Sequence, residues 1–486
     1  VLNAPGSVVT GSGREPAVSP RLSAAWSYGY GLLVVAALGY VLLGMPIQIG
    51  DGFTNMVALP GSHLWTMVYN QFFQASYLRP LLWGHLQVIY TLADGNYYEW
   101  YRGWHVFQVF LLVVLFIRVL RPRTVIDAAV IPLGLAILVG IHTFAGAIRE
   151  AFPINTFMTI LLCCVGAANL AVGEHRWWRD VAAAVLFVFA ALTVESGLLV
   201  WVVFAAAYMA GSRGVSRWGV GALTLLLAGY FVLRFVILDI GGPGLIERSS
   251  AYGFSVYDPE QLIEKFGENP WPFYVYNILT SAASVLWAEP RAGLFRVTRM
   301  FLEDDVRTYM YVNVAASALS TGVIGWFLWH RRRLWLARRL EHSDRIVFMF
   351  LGVLAANAVI SYPYTKDVIM SPAGVFYALA AAVAARELIA APWRHRLTAV
   401  ALVALLAVTS AAWGVRAVAA HVGVRESGAK FRNEWAYIDQ WYEAEGKRLT
   451  DPASIQLKQQ LHDDAIVRHP AQPALWGDWM EWLDLD

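Results

Sequence analysis

The sequence predicts an all-α integral membrane protein with about 11 transmembrane helices. Three observations carry this. Hydrophobic residues fill 58% of the 486 positions and charged residues only 15%, with a mean hydropathy of +0.49. A soluble chain of this length cannot hide so much apolar surface. Apolar runs approaching the roughly 20 residues a span needs recur along most of the chain, and basic residues gather at alternate connections between them. The net charge of +2 says little beside that distribution.

Residues 1–25 begin Pro/Ser/Gly/Val-rich, with Arg14 and Arg21, and are expected as a disordered cytoplasmic tail. The apolar run that follows has no convincing A-x-A-like cleavage site and is expected to be retained as a span. Spans are expected near 26–48, 104–120, 125–145, 155–172, 181–195, 197–211, 218–239, 306–329, 345–362, 371–389 and 397–419. The fifth and sixth share one apolar stretch, interrupted by Glu195-Ser196-Gly197. They form either a hairpin or one long tilted helix, and the second choice reverses everything downstream. Arginine placement decides. Arg118, Arg121 and Arg123 follow the second span, Arg176 and Arg179 the fourth, Arg213 and Arg217 the sixth. Arg331, Arg332, Arg333, Arg338 and Arg339 follow the eighth, and Arg394 and Arg396 the tenth. All share a side only if Glu195 marks a hairpin. By the positive-inside rule that side is cytoplasmic. The N-terminus is then cytoplasmic and the C-terminus extracytoplasmic, with a polytopic domain over 26–422.

The long polar segments 50–103, 240–305 and 423–486 then emerge on the outer side. Segment 62–103 mixes aromatic and polar residues, as in Trp65-Thr66-Met67-Val68-Tyr69, and is expected as interfacial helices. Segment 270–302 is expected as another interfacial helix, ended by Glu289-Pro290-Arg291; a true span there would make twelve and move the C-terminus inside. The 423–486 tail is expected as amphipathic helices near 427–447, 452–468 and 474–484, too small for its own core. Cys163 and Cys164 are adjacent in an apolar run and are read as small core residues.

Ionisable groups at membrane depth are costly and are functional candidates. Asp51 lies between Gly50 and Gly52 just after the first span. It can serve as a general base, help hold a divalent cation, or simply meet solvent at a helix end. Arg79 in Tyr77-Leu78-Arg79-Pro80-Leu81 can fork onto phosphate or snorkel as a helix anchor. His142, Arg149, Glu150 and Asn155 cluster at an outer mouth, but one His and one Glu do not define a metal site. Glu195 sits among apolar residues and needs a partner, such as Arg234, or a proton. Tyr362, Tyr364, Lys366 and Asp367 lie outside the ninth span, where a cation suits a lipid phosphate. Glu289, Arg291, Arg296 and Arg299 form a second basic patch. No phosphate-cradling glycine loop, dinucleotide fingerprint or H-E-x-x-H motif occurs, and no nucleic-acid partner is implied.

An Asp after the first span, a long first outer loop with an Arg-Pro-Leu, and a short Glu-x-Gly hairpin together resemble the GT-C superfamily of polytopic glycosyltransferases. Protein O-mannosyltransferases and bacterial polyprenyl-phosphate-sugar-dependent enzymes belong to it. The resemblance spans about residues 26–390. Ala191 to Gly197 is similar to that family's Lys-Glu-x-Gly hairpin, with Val194 in place of the lysine. Ser361 to Pro372 resembles its late outer loop that contacts the donor phosphate. Where many relatives carry paired acids, this chain has Asp51-Gly52. The resemblance implies sugar transfer from a polyprenyl-phosphate donor to a protein, glycan or lipid acceptor at the outer face of the cytoplasmic (inner) membrane. It implies Asp51 as general base or metal-linked carboxylate (with Mg or Mn), Glu150 and Glu195 as supporting acids, and Arg79, Arg234, Lys366 and Tyr364 at the donor phosphate. A second expectation is a catalytically inactive scaffold of the same shape serving a membrane complex. A transporter is the third, disfavoured because matching halves with interrupted spans are not evident.

Overall fold

The structure is a computed structural model that describes residues 19–73, 77–149, 156–240, 249–251, 256–287, 293–303, 306, 308–391, 396–444 and 449–468. Among these residues every regular element is helical, and extended backbone pairs only at two isolated bridges, Ser249 with Tyr257 and Ser250 with Tyr364. Seven helices are long and apolar enough to cross a membrane, and the bent pair Val125–Gly140 and His142–Arg149 makes an eighth. The chain is a multi-pass membrane protein.

Helix α1 (Pro20–Leu42) starts at Ser19, whose side chain accepts from the Leu22 amide, with Pro20 at the first helical position. A π turn at Ile49–Phe53 follows, then the single turn α2 (Thr54–Met56) and the paired helices α3 (Leu64–Phe73) and α4 (Pro80–Ala93). Helix α5 (Tyr97–Leu120) packs back along α1. Its Tyr98 hydroxyl donates to the Leu43 carbonyl at 2.6 Å, which levels the start of α5 with the end of α1.

Helices α6 (Val125–Ala129) and α7 (Ile131–Gly140) lead to a break. The chain turns by 60° into α8 (His142–Arg149), where the sequence suggests one span over 125–145. Extended backbone at Ile141 makes the bend. Beside the bend Gly140 lets a crossing helix come close: a Cβ there would lie 2.8 Å from the Trp413 carbonyl. Helix α9 (Thr156–Val172) runs parallel to α5, with Gln108 donating to Thr159 at 2.8 Å and Asn169 to the Leu115 carbonyl at 3.0 Å.

Helix α10 (Trp177–Ala191), the 3-10 turn Glu195–Leu198, α11 (Leu199–Met209) and α12 (Arg217–Val232, prolonged by a π turn at Leu233–Ile237) settle the hairpin question. At one end Ser216 donates twice to the Asp180 carboxylate, at 2.8 and 2.7 Å. At the other end Arg234 reaches Glu195. Helices α10 and α12 therefore run the same way, and α11 returns between them. Glu195 marks a turn, and Gly197 permits it, because a Cβ there would overlap the Ala190 carbonyl.

Helix α13 (Pro259–Phe266) carries an Asp258/Gln261 capping box. Helix α14 (Trp271–Trp287) covers the first half of the segment expected as an interfacial helix over 270–302. It packs lengthwise among the helices that follow, with Val285 in the main core. Its Asn277, Ser281 and Ser284 are fully buried on one face, and small polar side chains let helices approach closely. Helix α15 (Gly293–Leu302) doubles back on α14. Helices α16 (Thr308–Leu336) and α17 (His342–Ile360) precede a 3-10 turn, Asp367–Met370, and α18 (Ser371–Ala390). The apolar window of α18 is 94% buried and that of α12 only 11%, so α18 is the bundle axis and α12 an edge.

Helix α19 (Arg396–Ala436) has 41 residues. At 1.5 Å per residue it is about 60 Å long, roughly twice a bilayer's hydrocarbon core. Its far end, with α20 (Ile438–Ala444) and α21 (Pro452–Arg468), packs on the segment between α1 and α5. Leu457, Leu461 and Ala465 share one apolar cluster with Ile49, Phe53, Leu82, Leu86 and Tyr101. At the opposite end of the bundle the arginine-bearing connections meet. Arg121 and Arg179 donate to the Val172 and Leu170 carbonyls, His342 bonds the Val119 carbonyl, Arg386 pairs with Asp127, and Arg331 pairs with the fully buried Asp344.

Candidate functional site

Three segments far apart in sequence meet at the end away from the arginine layer. Pro80 at the first position of α4 makes the helix start there, and Arg79 is its cap residue. The Leu81 amide donates to the Leu192 carbonyl at 3.0 Å, docking α4 against the hairpin turn. Arg79 then donates to one Glu195 oxygen through Nη2 at 2.7 Å and Nε at 3.2 Å. Arg234, in the π turn closing α12, donates to the other oxygen at 3.1 Å. It also donates to the Tyr230 hydroxyl at 3.0 Å, and the Arg79 guanidinium lies 4.4 Å from the Tyr77 ring centroid.

Two guanidiniums on one carboxylate leave the group with one net positive charge. Coulomb attraction and hydrogen bonds hold the Glu195 carboxylate ionised despite its burial. The side chains keep 31% (Arg79), 24% (Glu195) and 13% (Arg234) of their surface exposed, so the triad opens to the protein surface. Arginine's planar fork matches phosphate as readily as carboxylate. Such a mouth can bind an anion by shifting the guanidiniums' hydrogen bonds.

Tyr364 and Lys366 reach this end on another segment. The Ser250 amide donates to the Pro363 carbonyl and the Thr365 amide to the Ser250 carbonyl, both at 3.1 Å. Asn277 donates to the Ser250 and Tyr362 carbonyls at 3.1 and 2.7 Å, and Tyr364 is partly exposed. The Ile240 carbonyl, which accepts from Arg234 at 3.5 Å, begins the connection toward Ser250.

The Asp51 backbone lies in the π turn Ile49–Phe53; its side chain lies outside the described residues. The turn is gripped from two sides. Arg102 donates to the Met45 and Pro46 carbonyls. Trp435 donates to the Ile47 carbonyl at 2.7 Å and meets Phe53 edge-on at 5.1 Å. Glu150, Asn155, Glu289, Arg291, the Arg296 side chain and the 474–484 helix also lie outside the described residues. Among the described residues no three His, Cys, Asp or Glu gather as a metal site.

The structure thus joins Arg79, Glu195 and Arg234. Sequence inspection missed Tyr230, although it stands one helical turn before Arg234. It also missed Trp435, for which nothing local gives a signal, and the pairing of His142 with Asp367. The class the fold defines is a multi-pass helical membrane protein with a cationic mouth at one end. No family model, no curated protein and no solved structure matches the chain.

Proposed function

We propose that this chain is a membrane glycosyltransferase that takes a sugar from a polyprenyl-phosphate donor and passes it to an acceptor on the outer side of the cytoplasmic membrane. The observation that carries the proposal is the Arg79–Glu195–Arg234 triad, three residues singled out in the sequence that the fold brings together. A lipid-held phosphate arrives at interface depth, and its charge grows as it leaves, so cations stationed there favour departure. Counting the shorter apolar helices α9, α10 and α11 brings the crossings to eleven, with the arginine layer cytoplasmic. Helices α3 and α4 are the interfacial pair of the first outer loop. Asp51 is the carboxylate assigned to the acceptor proton, and Lys366 and Tyr364 complete the phosphate wall. Asp51 has glycine on either side and lacks the second acid that a divalent cation favours.

The test is release of free polyprenyl phosphate by purified protein in nanodiscs, supplied with polyprenyl-phosphate glucose, mannose or arabinose and an envelope extract as acceptor. Asp51→Asn and the double variant Arg79→Ala, Arg234→Ala are expected to lose at least a hundredfold in rate. Turnover unchanged by both removes the assignment. No turnover with any donor favours the inactive scaffold.

A further inference from the structure

Two helix starts face each other at the outer end of the bundle. One is His142, just past the break at Ile141; the other is Asp367, opening the turn that leads into α18. His142 Nε2 stands 3.4 Å from Asp367 Oδ1. The His142 side chain is 5% exposed and the Asp367 side chain 24%, so the carboxylate lies toward the outside and the imidazole behind it. Neither ring nitrogen of His142 has a hydrogen-bond partner among the described residues, and the same holds for the buried hydroxyls of Thr143 and Ser371 at the junction. The two starts are held in close register. A Cβ at Gly374 would overlap Thr143 Oγ1, and one at Gly146 would lie 3.1 Å from Val368 Cβ. Buried polar atoms without protein partners mark a site for water or for a moving proton.

We propose that His142 and Asp367 form an acid pair that protonates the departing carrier phosphate. The inference rests on the glycosyl-transfer function above and adds a second proton step to it. Asp367 directly follows Lys366, on the segment assigned to the donor phosphate. The bond from the sugar's anomeric carbon to the phosphate oxygen breaks as the bond to the acceptor oxygen forms. The acceptor's proton passes to Asp51. The proton carried by the His142–Asp367 pair passes from the Asp367 carboxyl to a phosphate oxygen, and the carrier leaves as a monoanion. Water at the outer mouth then removes a proton from Asp51 and returns one to the pair. Asp367 is the group that touches the phosphate. His142 acts through it, as a positioning residue and proton reserve.

Two measurements test this. Asp367→Asn is expected to slow transfer from the polyprenyl-phosphate donor at least tenfold. With the more acidic thiophosphate as leaving group, which needs a proton less, the deficit is expected to shrink below threefold. His142→Gln, which keeps a donor toward Asp367, is expected to fall between Asp367→Asn and the native chain. In histidine-labelled protein the His142 ring nitrogen resonances are expected to shift on Asp367→Asn, in variants that stay monodisperse. Native-like rates in Asp367→Asn, an equal deficit with both leaving groups, or unmoved His142 resonances overturn the acid pair and leave the transfer function standing. Absence of transfer by the native chain overturns both.

Discussion

At the scale of single residues, the triad makes opposite demands on its two kinds of member. Glu195 neutralises one of two neighbouring guanidiniums, so its removal leaves two like charges in a partly buried place. Glu195→Ala is expected to destabilise the protein by roughly 1–3 kcal/mol, a range reduced for the quarter of the side chain that water reaches. A lowered melting temperature in detergent is the readout. Added inorganic phosphate is expected to recover more of that loss in Glu195→Ala than it adds to the native chain; equal responses would show that the guanidiniums do not bind phosphate. His85 on α4 offers a pH test. It is half-buried against Trp104, with ring centroids 5.4 Å apart, and desolvation lowers its pKa to about 4. Unfolding frees the ring to take a proton near pH 6.5, so stability is whole above that value and falls as the pH drops toward 4. The loss is of order 1–3 kcal/mol. His85→Phe is expected to flatten the decline, followed by melting temperature between pH 7 and 4.

At the scale of elements, the 195–198 turn depends on one missing side chain. Gly197→Ala must push the Ala190 carbonyl aside and is expected to cost roughly 2–4 kcal/mol. Gly221→Ala on α12, with open space around it, is expected to change stability by less than about 1 kcal/mol. Similar melting temperatures for the two variants would contradict the tightness of the turn. That turn was legible in the sequence because Glu195 interrupts an apolar run and the arginines fall on one side only if the chain reverses there. Helix α21 was legible too: a helix is expected near 452–468, and it spans Pro452–Arg468. The break at Ile141 was not, because residues 125–145 read as one apolar run and the helix that crosses beside Gly140 lies more than 270 residues later. Nor was the packing of one face of α14. Its Asn, Ser and Thr content reads as polar in isolation and becomes close-packing surface only when α16 and α17 lie against it. For the triad, the sequence marked each member as unusual, but the distances that join them belong to the fold.

At the scale of the whole molecule, the two ends of the bundle are built on different physics. The arginine end is an ionic layer in which Arg331 donates to Asp344 and Glu341. The opposite end is an apolar cap, in which the last helices close over the turn that bears Asp51. Trp435 is fully buried there and joins the two by one hydrogen bond and one ring contact. Removing such a side chain from a packed site costs about 3–5 kcal/mol. The loss falls on the cap, because Trp435 belongs to a different apolar cluster from the bundle core. Trp435→Ala is therefore expected to loosen residues 45–60 while the bundle stays folded. Hydrogen exchange should show protection lost around the π turn by tenfold or more, with α5, α17 and α18 unchanged. Trp435→Phe keeps the ring contact and loses the hydrogen bond, so it should lie between the two. Uniform loss of protection would mean that the cap and the bundle unfold together, and a variant indistinguishable from the native chain would mean that the tail does not hold the Asp51 turn in place.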